Sequence, residues 1–170
     1  HIAGGAAGGG LVLGVAYAPL NYDYEALFNV TPTAKGYCVS FDKMKMYWRA
    51  KPFVLISGEF PRGSCEFNAV LFHENKHVRT LKKVHAKHAA GFKRHVEESL
   101  ERVRVIGPVS RGGIAAAQQK MQDEFNLLLD TYVEQARNEL AKAQNKVDSP
   151  SEYDRVHAEC DGWAGHLRLE

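Results

Sequence analysis

The sequence lacks long apolar runs and an excess of either charge, and both absences remove classes of protein. Its 170 residues contain no stretch of 18 or more consecutive apolar residues, so no segment is expected to span a membrane as a helix. The 22 basic and 20 acidic residues give a net charge of +2 and form neither a basic tail nor a basic–aromatic alternation. We therefore expect no membrane span and no nucleic-acid partner.

Cysteine is also scarce, and the three residues present, Cys38, Cys65 and Cys160, allow three pairings. We expect a disulfide between Cys38, which lies in a strand-like run, and Cys65, which directly precedes a helical segment, leaving Cys160 free. This bond would close a loop of about 27 residues and stabilise the fold by about 3–4 kcal/mol. A disulfide suits an oxidising compartment. The alternative is three reduced, buried cysteines in a cytosolic protein.

Two kinds of periodicity divide the chain. Residues 1–63 carry β-type runs separated by turn residues, namely Leu11–Tyr17, Gly36–Phe41, Met44–Arg49 and Phe53–Phe60. From Ser64 the apolar residues recur every three or four positions, as on one face of a helix, until Gly107-Pro108 ends the segment. A second helical run covers Gly113–Val147, and Asp148-Ser149-Pro150 begins a third, short helix.

These patterns predict a single α+β domain over residues 1–170, with a β-rich part in residues 1–63 and a helical part in residues 64–170. The first part is a small antiparallel sheet, and the second is a long helical hairpin followed by a short C-terminal helix. At 1.5 Å per residue the two long helices are each roughly 50 Å long. An antiparallel return brings whatever follows Val147 beside the start of the first long helix.

The segment His73-Glu74-Asn75-Lys76-His77, near the start of that helix, is an HExxH motif. Positions i and i+4 lie one above the other on a helix, so His73 and His77 can hold one zinc ion with Glu74 beside them as a base. Without the two histidines, we would interpret Glu74 as an ordinary exposed carboxylate on a helix. The motif predicts the core of a zinc peptidase.

A catalytic zinc ion needs three protein ligands and one open position, so a third side chain must come from elsewhere in the chain. The returning tail supplies our first choice, Glu159, and our second, His157, because both flank the apolar face of the last helix and Glu159 lies nearer its centre. Glu97 lies 20 residues after His77, roughly 30 Å along a continuous helix, and reaches back only if the chain breaks near Gly91. His85 and His88 lie too far along the helix to share the same ion.

The motif and the tail together resemble a bacterial family of predicted secreted zinc-dependent proteases. The resemblance rests on HExxH preceded by Val70-Leu71-Phe72, on the helical hairpin, and on the tail Tyr153-Asp154-Arg155-Val156-His157-Ala158-Glu159, where the family commonly reads Y-D-x-x-T-x-H-G. Tyr153 and Asp154 match, whereas Glu159 stands where the family has its histidine and Lys76 places a charge inside the motif. The resemblance implies a zincin-like fold, a peptide or protein substrate, and a periplasmic or secreted location.

The predicted reaction is peptide-bond hydrolysis. Zinc held by His73, His77 and Glu159 would polarise a water molecule, Glu74 would take its proton and pass it to the leaving amine, and Tyr153 or His157 would stabilise the developing oxyanion.

Two other functions stay open at the level of sequence. The first is a non-enzymatic binding or assembly domain that presents the helical hairpin to a partner and carries a relic or coincidental motif. The second is metal sequestration by a histidine-rich helix carrying His73, His77, His85, His88 and His95. The number of metal ions bound per chain separates all three functions.

Overall fold

The computed structural model describes residues 13–161 and residue 163, and these residues form an α+β protein. In chain order its elements are β1 (Gly14–Tyr17), β2 (Leu20–Thr33), β3 (Gly36–Ala50), β4 (Phe53–Ile56), α1 (Cys65–Arg102), β5 (Ile106–Val109), a 3-10 turn (Arg111–Gly113), α2 (Ile114–Val147) and α3 (Pro150–Ala158). The α+β class and the three helices expected from the sequence are confirmed. Positions 11 and 12 of the first expected strand lie outside the described residues. Among the helices of this described part, none has both the length and the apolar character needed to cross a membrane.

The strands pair in two separate sheets. In the first, β1 pairs antiparallel with β4, so that Val15 lies opposite Leu55 and Tyr17 opposite Phe53. In the second, β3 lies between β2 and β5 and runs antiparallel to β5. The antiparallel pairing that the sequence predicts is therefore present, and it is divided between two small sheets.

The hairpin of β2 and β3 differs from the expected strands in two respects. The sequence did not predict β2, because its apolar residues alternate with exposed charged residues such as Asp23 and Glu25. β3 continues through Asp42-Lys43, a pair with turn chemistry whose local preference is overridden by pairing along the hairpin. The turn ends at Gly36, where φ is +134° and a Cβ atom would collide with the carbonyl oxygen of Val109.

The chain forms two compact units, each assembled from separate segments. Within the described residues, the first unit comprises residues 13–19, 50–85, 138–161 and 163, and the second comprises residues 20–49 and 86–137. Each unit therefore combines strands with parts of α1 and α2.

The second unit has an apolar core built by its sheet and its parts of the two long helices. Fully or almost fully buried side chains fill this core, namely Val39, Phe92, Val96, Val103, Ala117, Met121, Phe125, Leu129 and Val133. Aromatic rings from the sheet close it: the ring of Tyr24 lies edge-on to Phe125 with centroids 5.5 Å apart, and Trp48 stacks on Phe92 at 4.5 Å. His88 contacts Tyr132 and His95 contacts Leu128 across the two helices, which therefore run antiparallel in this unit.

The first unit contains β1, β4, α3, the start of α1 and the end of α2. Here too the two long helices run antiparallel, because His77 contacts Gln144 and His73 contacts Asp148. Asp148 directly follows α2, Ser149 occupies the N-cap position of α3, and Pro150 is the first residue of that helix, as the sequence predicted. The return of the chain thus places residues after Val147 beside the HExxH motif.

A disulfide joins Cys65 to Cys160, with Cα atoms 5.9 Å apart, and Cys38 is a free cysteine. The expected pairing of Cys38 with Cys65 was therefore wrong. Cys65 is the first residue of α1, and Cys160 follows α3 closely, so the antiparallel return of the chain brings these two together across 95 residues of sequence. The bond fastens the last short helix to the start of the motif helix.

Candidate metal centre

The three chemically important residues of the HExxH motif are buried. His73, Glu74 and His77 expose only 6%, 6% and 7% of their surface, although polar residues normally favour solvent. They lie in the third and fourth turns of α1, where a spacing of four residues places both imidazoles on one side of the helix. Burial of this kind requires partners for every polar atom.

The two imidazoles turn the same ring nitrogen toward each other, and a carboxylate joins them. The Nε2 atoms of His73 and His77 are 3.2 Å apart, and the Oδ1 atom of Asp148 lies 3.4 Å from the first and 3.0 Å from the second. One ligand atom from each of the three residues lies within 4.8 Å of the others. Asp148 thus completes a group with the chemistry and the spacing of a metal site.

The other side of the His77 ring fixes which nitrogen carries its proton. Nδ1 of His77 lies 2.6 Å from Oε1 of Gln144, and the Gln144 amide group donates through Nε2 to the backbone carbonyl oxygen of His77 at 3.2 Å. This second bond orients the amide, so Oε1 must accept a hydrogen bond from His77 Nδ1–H. In the neutral imidazole the Nε2 lone pair then points toward His73 and Asp148.

His73 follows the same pattern with a different partner. Its Nδ1 atom lies 3.4 Å from Oε1 of Glu152, an acceptor that leaves Nε2 of the neutral ring with its lone pair toward the same point. Two lone pairs and a carboxylate oxygen therefore converge, an arrangement that repels itself unless a cation joins it. Either protons on the imidazoles or a metal ion can supply that positive charge.

The pKa values of the group reflect this demand for positive charge. Burial lowers the pKa of His77, but hydrogen bonds to Asp148 and Gln144 outweigh burial and leave it above its ordinary value. Burial raises the pKa of Asp148, but hydrogen bonds from His73 and His77 outweigh burial and leave it well below its usual range. The carboxylate is therefore ionised at neutral pH and available as a ligand.

The donor set fits zinc. Two imidazole nitrogens and one carboxylate oxygen are the ligand types of catalytic zinc sites, which hold the metal through three protein side chains and leave one position open. Magnesium and calcium prefer oxygen ligands alone, so the two histidines favour a transition metal. His73, His77 and Asp148 would hold the ion through Nε2, Nε2 and a carboxylate oxygen.

Glu74 lies beneath strand β1. The backbone N–H of Ala16 donates a hydrogen bond to its carboxylate, and a Cβ atom at Gly14 would lie only 3.0 Å from one carboxylate oxygen and 2.5 Å from Val70 Cγ1. The strand can approach this closely because residue 14 is glycine. Burial raises the pKa of Glu74, although the neighbouring His77 and His73 partly offset that effect. A raised pKa suits a carboxylate that must accept and release a proton near neutral pH.

Tyr153 reaches the group from the first turn of α3. Its hydroxyl donates to Oδ1 of Asp148 at 3.1 Å, and its ring centroid lies 5.6 Å from that of His73. Burial, together with the charge of Asp148 and the hydrogen bond to it, raises the pKa of Tyr153 to about 12. The hydroxyl therefore stays protonated at neutral pH and is a hydrogen-bond donor at the site where the sequence placed it.

The two residues that the sequence favoured as third ligand lie elsewhere. The carboxylate of Glu159 pairs with Arg155 on the exposed side of the short helix, and the ring of His157 packs edge-on against Trp163 with centroids 5.4 Å apart. Neither belongs to the group formed by His73, His77 and Asp148. The geometric reason is position along α3, because its first turn faces the motif and Glu159 comes only after its last turn.

The remaining sequence candidates also have other contacts. Glu97 pairs with Lys93 at 3.9 Å on the surface of the second unit, and His88 contacts the Tyr132 hydroxyl there through Nδ1 at 3.1 Å. Asp148, in contrast, was read only as part of the start of the third helix. The signal that identifies it is its place as the first residue after Val147, where the returning chain meets the motif helix.

Comparison with known proteins adds no relative: no family model, no curated protein and no solved structure matches the chain. The resemblance to secreted zinc proteases therefore stays a prediction from the motif and the tail, and the site must be judged on its own geometry.

Proposed function

We propose that the protein is a zinc-dependent peptidase whose metal is held by His73, His77 and Asp148. The observation that carries this proposal is the convergence of two Nε2 atoms and a carboxylate oxygen, with both Nδ1 atoms engaged by outer acceptors. A histidine pair that served only to pack the helices would not need to turn two lone pairs and an anion toward one another. The HExxH spacing adds the buried Glu74 beside them.

Each residue of the group has a separate role in the proposed hydrolysis. His73, His77 and Asp148 would hold the zinc ion, which when bound would act as a Lewis acid that lowers the pKa of a water molecule and polarises the peptide carbonyl. Glu74 takes the proton from the attacking water and delivers it to the leaving amine. The protonated hydroxyl of Tyr153, which donates to Asp148 Oδ1 in this structure, would turn from that oxygen and donate to the carbonyl oxygen as negative charge develops there.

The proposed setting is an oxidising compartment, such as the periplasm or the outside of a bacterial cell. The Cys65–Cys160 disulfide supports this setting, because such bonds persist where thiols are not kept reduced. The substrate in this proposal is a peptide or an unfolded segment of a protein.

The experiment that tests the proposal compares purified wild-type protein with two single variants, Glu74→Gln and Asp148→Ala. We expect the wild type to hold one zinc ion per chain and to hydrolyse a mixture of unstructured peptides, detected by mass spectrometry as new termini. Glu74→Gln should keep the zinc and lower the rate by about 10²–10⁴-fold, because only the base is lost. Asp148→Ala should lose both the zinc and the hydrolysis.

Two outcomes would count against the proposal. Wild-type protein that holds one zinc ion but cleaves no peptide would favour a binding or assembly domain with a structural metal. If the wild-type protein is dialysed against zinc and then holds none, the proposed metal site does not exist and the proposal fails.

A further inference from the structure

Glu152, in the first turn of α3, gathers three cationic or polarisable groups around one carboxylate. Its Oε1 atom lies 3.4 Å from Nδ1 of His73, 2.6 Å from Nζ of Lys76 and 2.7 Å from Nη2 of Arg155. Its Oε2 atom accepts a further hydrogen bond from Nε of Arg155 at 3.0 Å. Only 13% of its side chain is exposed, whereas Lys76 and Arg155 expose 27% and 36% of theirs.

Lys76 occupies one of the two middle positions of HExxH, where its charge was unexpected. In the structure its ammonium group contacts the Glu152 carboxylate, so the charge has a partner within the site. Arg155 contacts the same carboxylate through two nitrogens.

The partners of the two histidines differ in charge. His77 is held by Gln144, a neutral amide, whereas His73 is held by an anion that is itself held by two cations. A carboxylate that accepts from Nδ1–H fixes the ring and increases the basicity of Nε2, and two cations on that carboxylate keep it from drawing the proton away.

We propose that Glu152 is a positioning residue for the zinc site, holding His73 through Nδ1 so that Nε2 faces the metal, and that Lys76 and Arg155 hold Glu152 in place. The proposal rests on the proposed zinc site, and it extends the site to a charged network that the HExxH motif alone does not include. Glu152 touches neither the metal position nor the substrate in this scheme and acts only through His73.

Replacement of the charge at Glu152 gives a specific expectation. Glu152→Gln keeps nearly the same shape but leaves Lys76 without its carboxylate partner, and Arg155 with Glu159 alone, near a site that must attract zinc. Loss of an outer partner of a zinc-binding histidine costs about 10–100-fold in metal affinity. Adding Lys76→Met to Glu152→Gln removes one of those cations and should recover part of the loss.

The matched control is Glu159→Gln. Glu159 also pairs with Arg155 and, like Glu152, follows α2 in the chain. Its carboxylate makes no contact with His73. We expect Glu159→Gln to leave the zinc affinity unchanged. If only Glu152→Gln weakens zinc binding, the effect comes from the carboxylate that contacts His73. Loss of any carboxylate beside Arg155 would weaken binding in Glu159→Gln as well.

The experiment measures zinc affinity by competition with a chromophoric chelator, without any assay of hydrolysis. The variants are Glu152→Gln, Lys76→Met with Glu152→Gln, and Glu159→Gln, each compared with the wild type. The visible absorption of the cobalt(II)-substituted proteins reports the ligand geometry directly, and thermal unfolding of the metal-free proteins reports folding. We expect a 10–100-fold weaker affinity and a changed cobalt spectrum in Glu152→Gln, with metal-free unfolding close to that of the wild type.

The outcomes separate this inference from the proposed function. If the wild type binds zinc tightly and Glu152→Gln has the same affinity and the same cobalt spectrum, the role of Glu152 is overturned and the zinc site itself is not. Equal weakening in Glu159→Gln overturns it too, because the effect would then not depend on His73. Absence of zinc binding by the wild type overturns both proposals. If Glu152→Gln does not fold, Glu152→Asp retains the charge but shortens the reach to His73, and an unchanged affinity in that variant contradicts the proposal.

Discussion

The same two long helices contain histidine pairs in both compact units, and the pairs are satisfied in different ways. In the second unit, Nδ1 of His88 contacts the Tyr132 hydroxyl and Nε2 of His95 contacts the Leu128 carbonyl oxygen, so each ring has a protein group as its partner. In the first unit, His73 and His77 turn Nε2 toward each other and toward Asp148. A histidine-rich helix is therefore not by itself a metal-binding helix. The direction of the ring nitrogens decides whether two histidines can share one ion.

The two units also differ in the side chains that their helices bury. The second unit buries apolar side chains such as Phe92, Met121 and Phe125, and its stability follows from their removal from water. The first unit buries His73, Glu74 and His77 beside apolar side chains such as Leu81, and buried polar groups cost stability unless they are bonded. We expect the first unit to depend on covalent and metal crosslinks and the second to depend on packing.

The largest expected effect concerns the disulfide. Replacing Cys65 and Cys160 together by serine should lower the free energy of unfolding by about 4–5 kcal/mol, because the bond closes a loop of 95 residues. Urea unfolding followed by circular dichroism measures the change, and Cys38→Ser is the control, expected to have a small effect. A large loss in Cys38→Ser and none in the double variant would contradict the observed pairing.

A packing variant tests the other unit. Phe125→Ala removes a fully buried ring that contacts Tyr24 and Phe41, and it should cost about 3–5 kcal/mol. The same loss is expected in the presence of zinc and in the presence of a chelator, as measured by urea unfolding in both conditions. A loss of zinc affinity in this variant would show that the metal site depends on the apolar core of the second unit, which would contradict the expected independence of the two.

Gly14 tests the contact between β1 and the proposed base. Gly14→Ala places a Cβ atom against Val70 and Glu74, and such overpacking typically costs about 1–3 kcal/mol. Zinc should remain bound, while hydrolysis should fall because the Glu74 carboxylate must move. Thermal unfolding, zinc content and peptide cleavage measured on one preparation distinguish these effects, and Gly58→Ala, with open space around its Cα, is the matched control. Hydrolysis unchanged from the wild type would show that the strand does not position Glu74.

The smallest effect is expected at the histidines of the second unit. His88→Ala should cost about 0.5–1.5 kcal/mol through the lost hydrogen bond with Tyr132, and it should leave one zinc ion per chain. Elemental analysis of His88→Ala and His95→Ala beside the wild type measures this directly. A lower zinc content in either variant would favour the sequestration of several ions over one defined site.

The sequence predicted well what depends on local pattern. The periodicity of α1 and α2 and the Asp148-Ser149-Pro150 start of α3 are properties of neighbouring residues, and the structure confirms those helices within a few residues. The strand β2 was missed because alternating charged residues lower its apolar content, although the same alternation is the signature of a half-buried strand.

What the sequence could not supply was the pairing of residues far apart in the chain. Cys65 meets Cys160, and the two motif histidines meet Asp148, only because the helices return antiparallel. The return itself was predicted, but choosing between Asp148, which precedes α3, and Glu159, which follows it, requires knowing which end of α3 lies at the motif. The 9 residues of α3 span about 13–14 Å, which is enough to move a side chain from the site to the surface.

The central claim is that His73, His77 and Asp148 hold one zinc ion. The most direct measurement is anomalous diffraction at the zinc edge from crystals of the zinc-loaded protein. We expect a single peak bonded to Nε2 of both histidines and to an oxygen of Asp148, at about 2.0–2.2 Å. A peak ligated by Glu159 or His157 in place of Asp148, or no peak beside the two imidazoles, would contradict it.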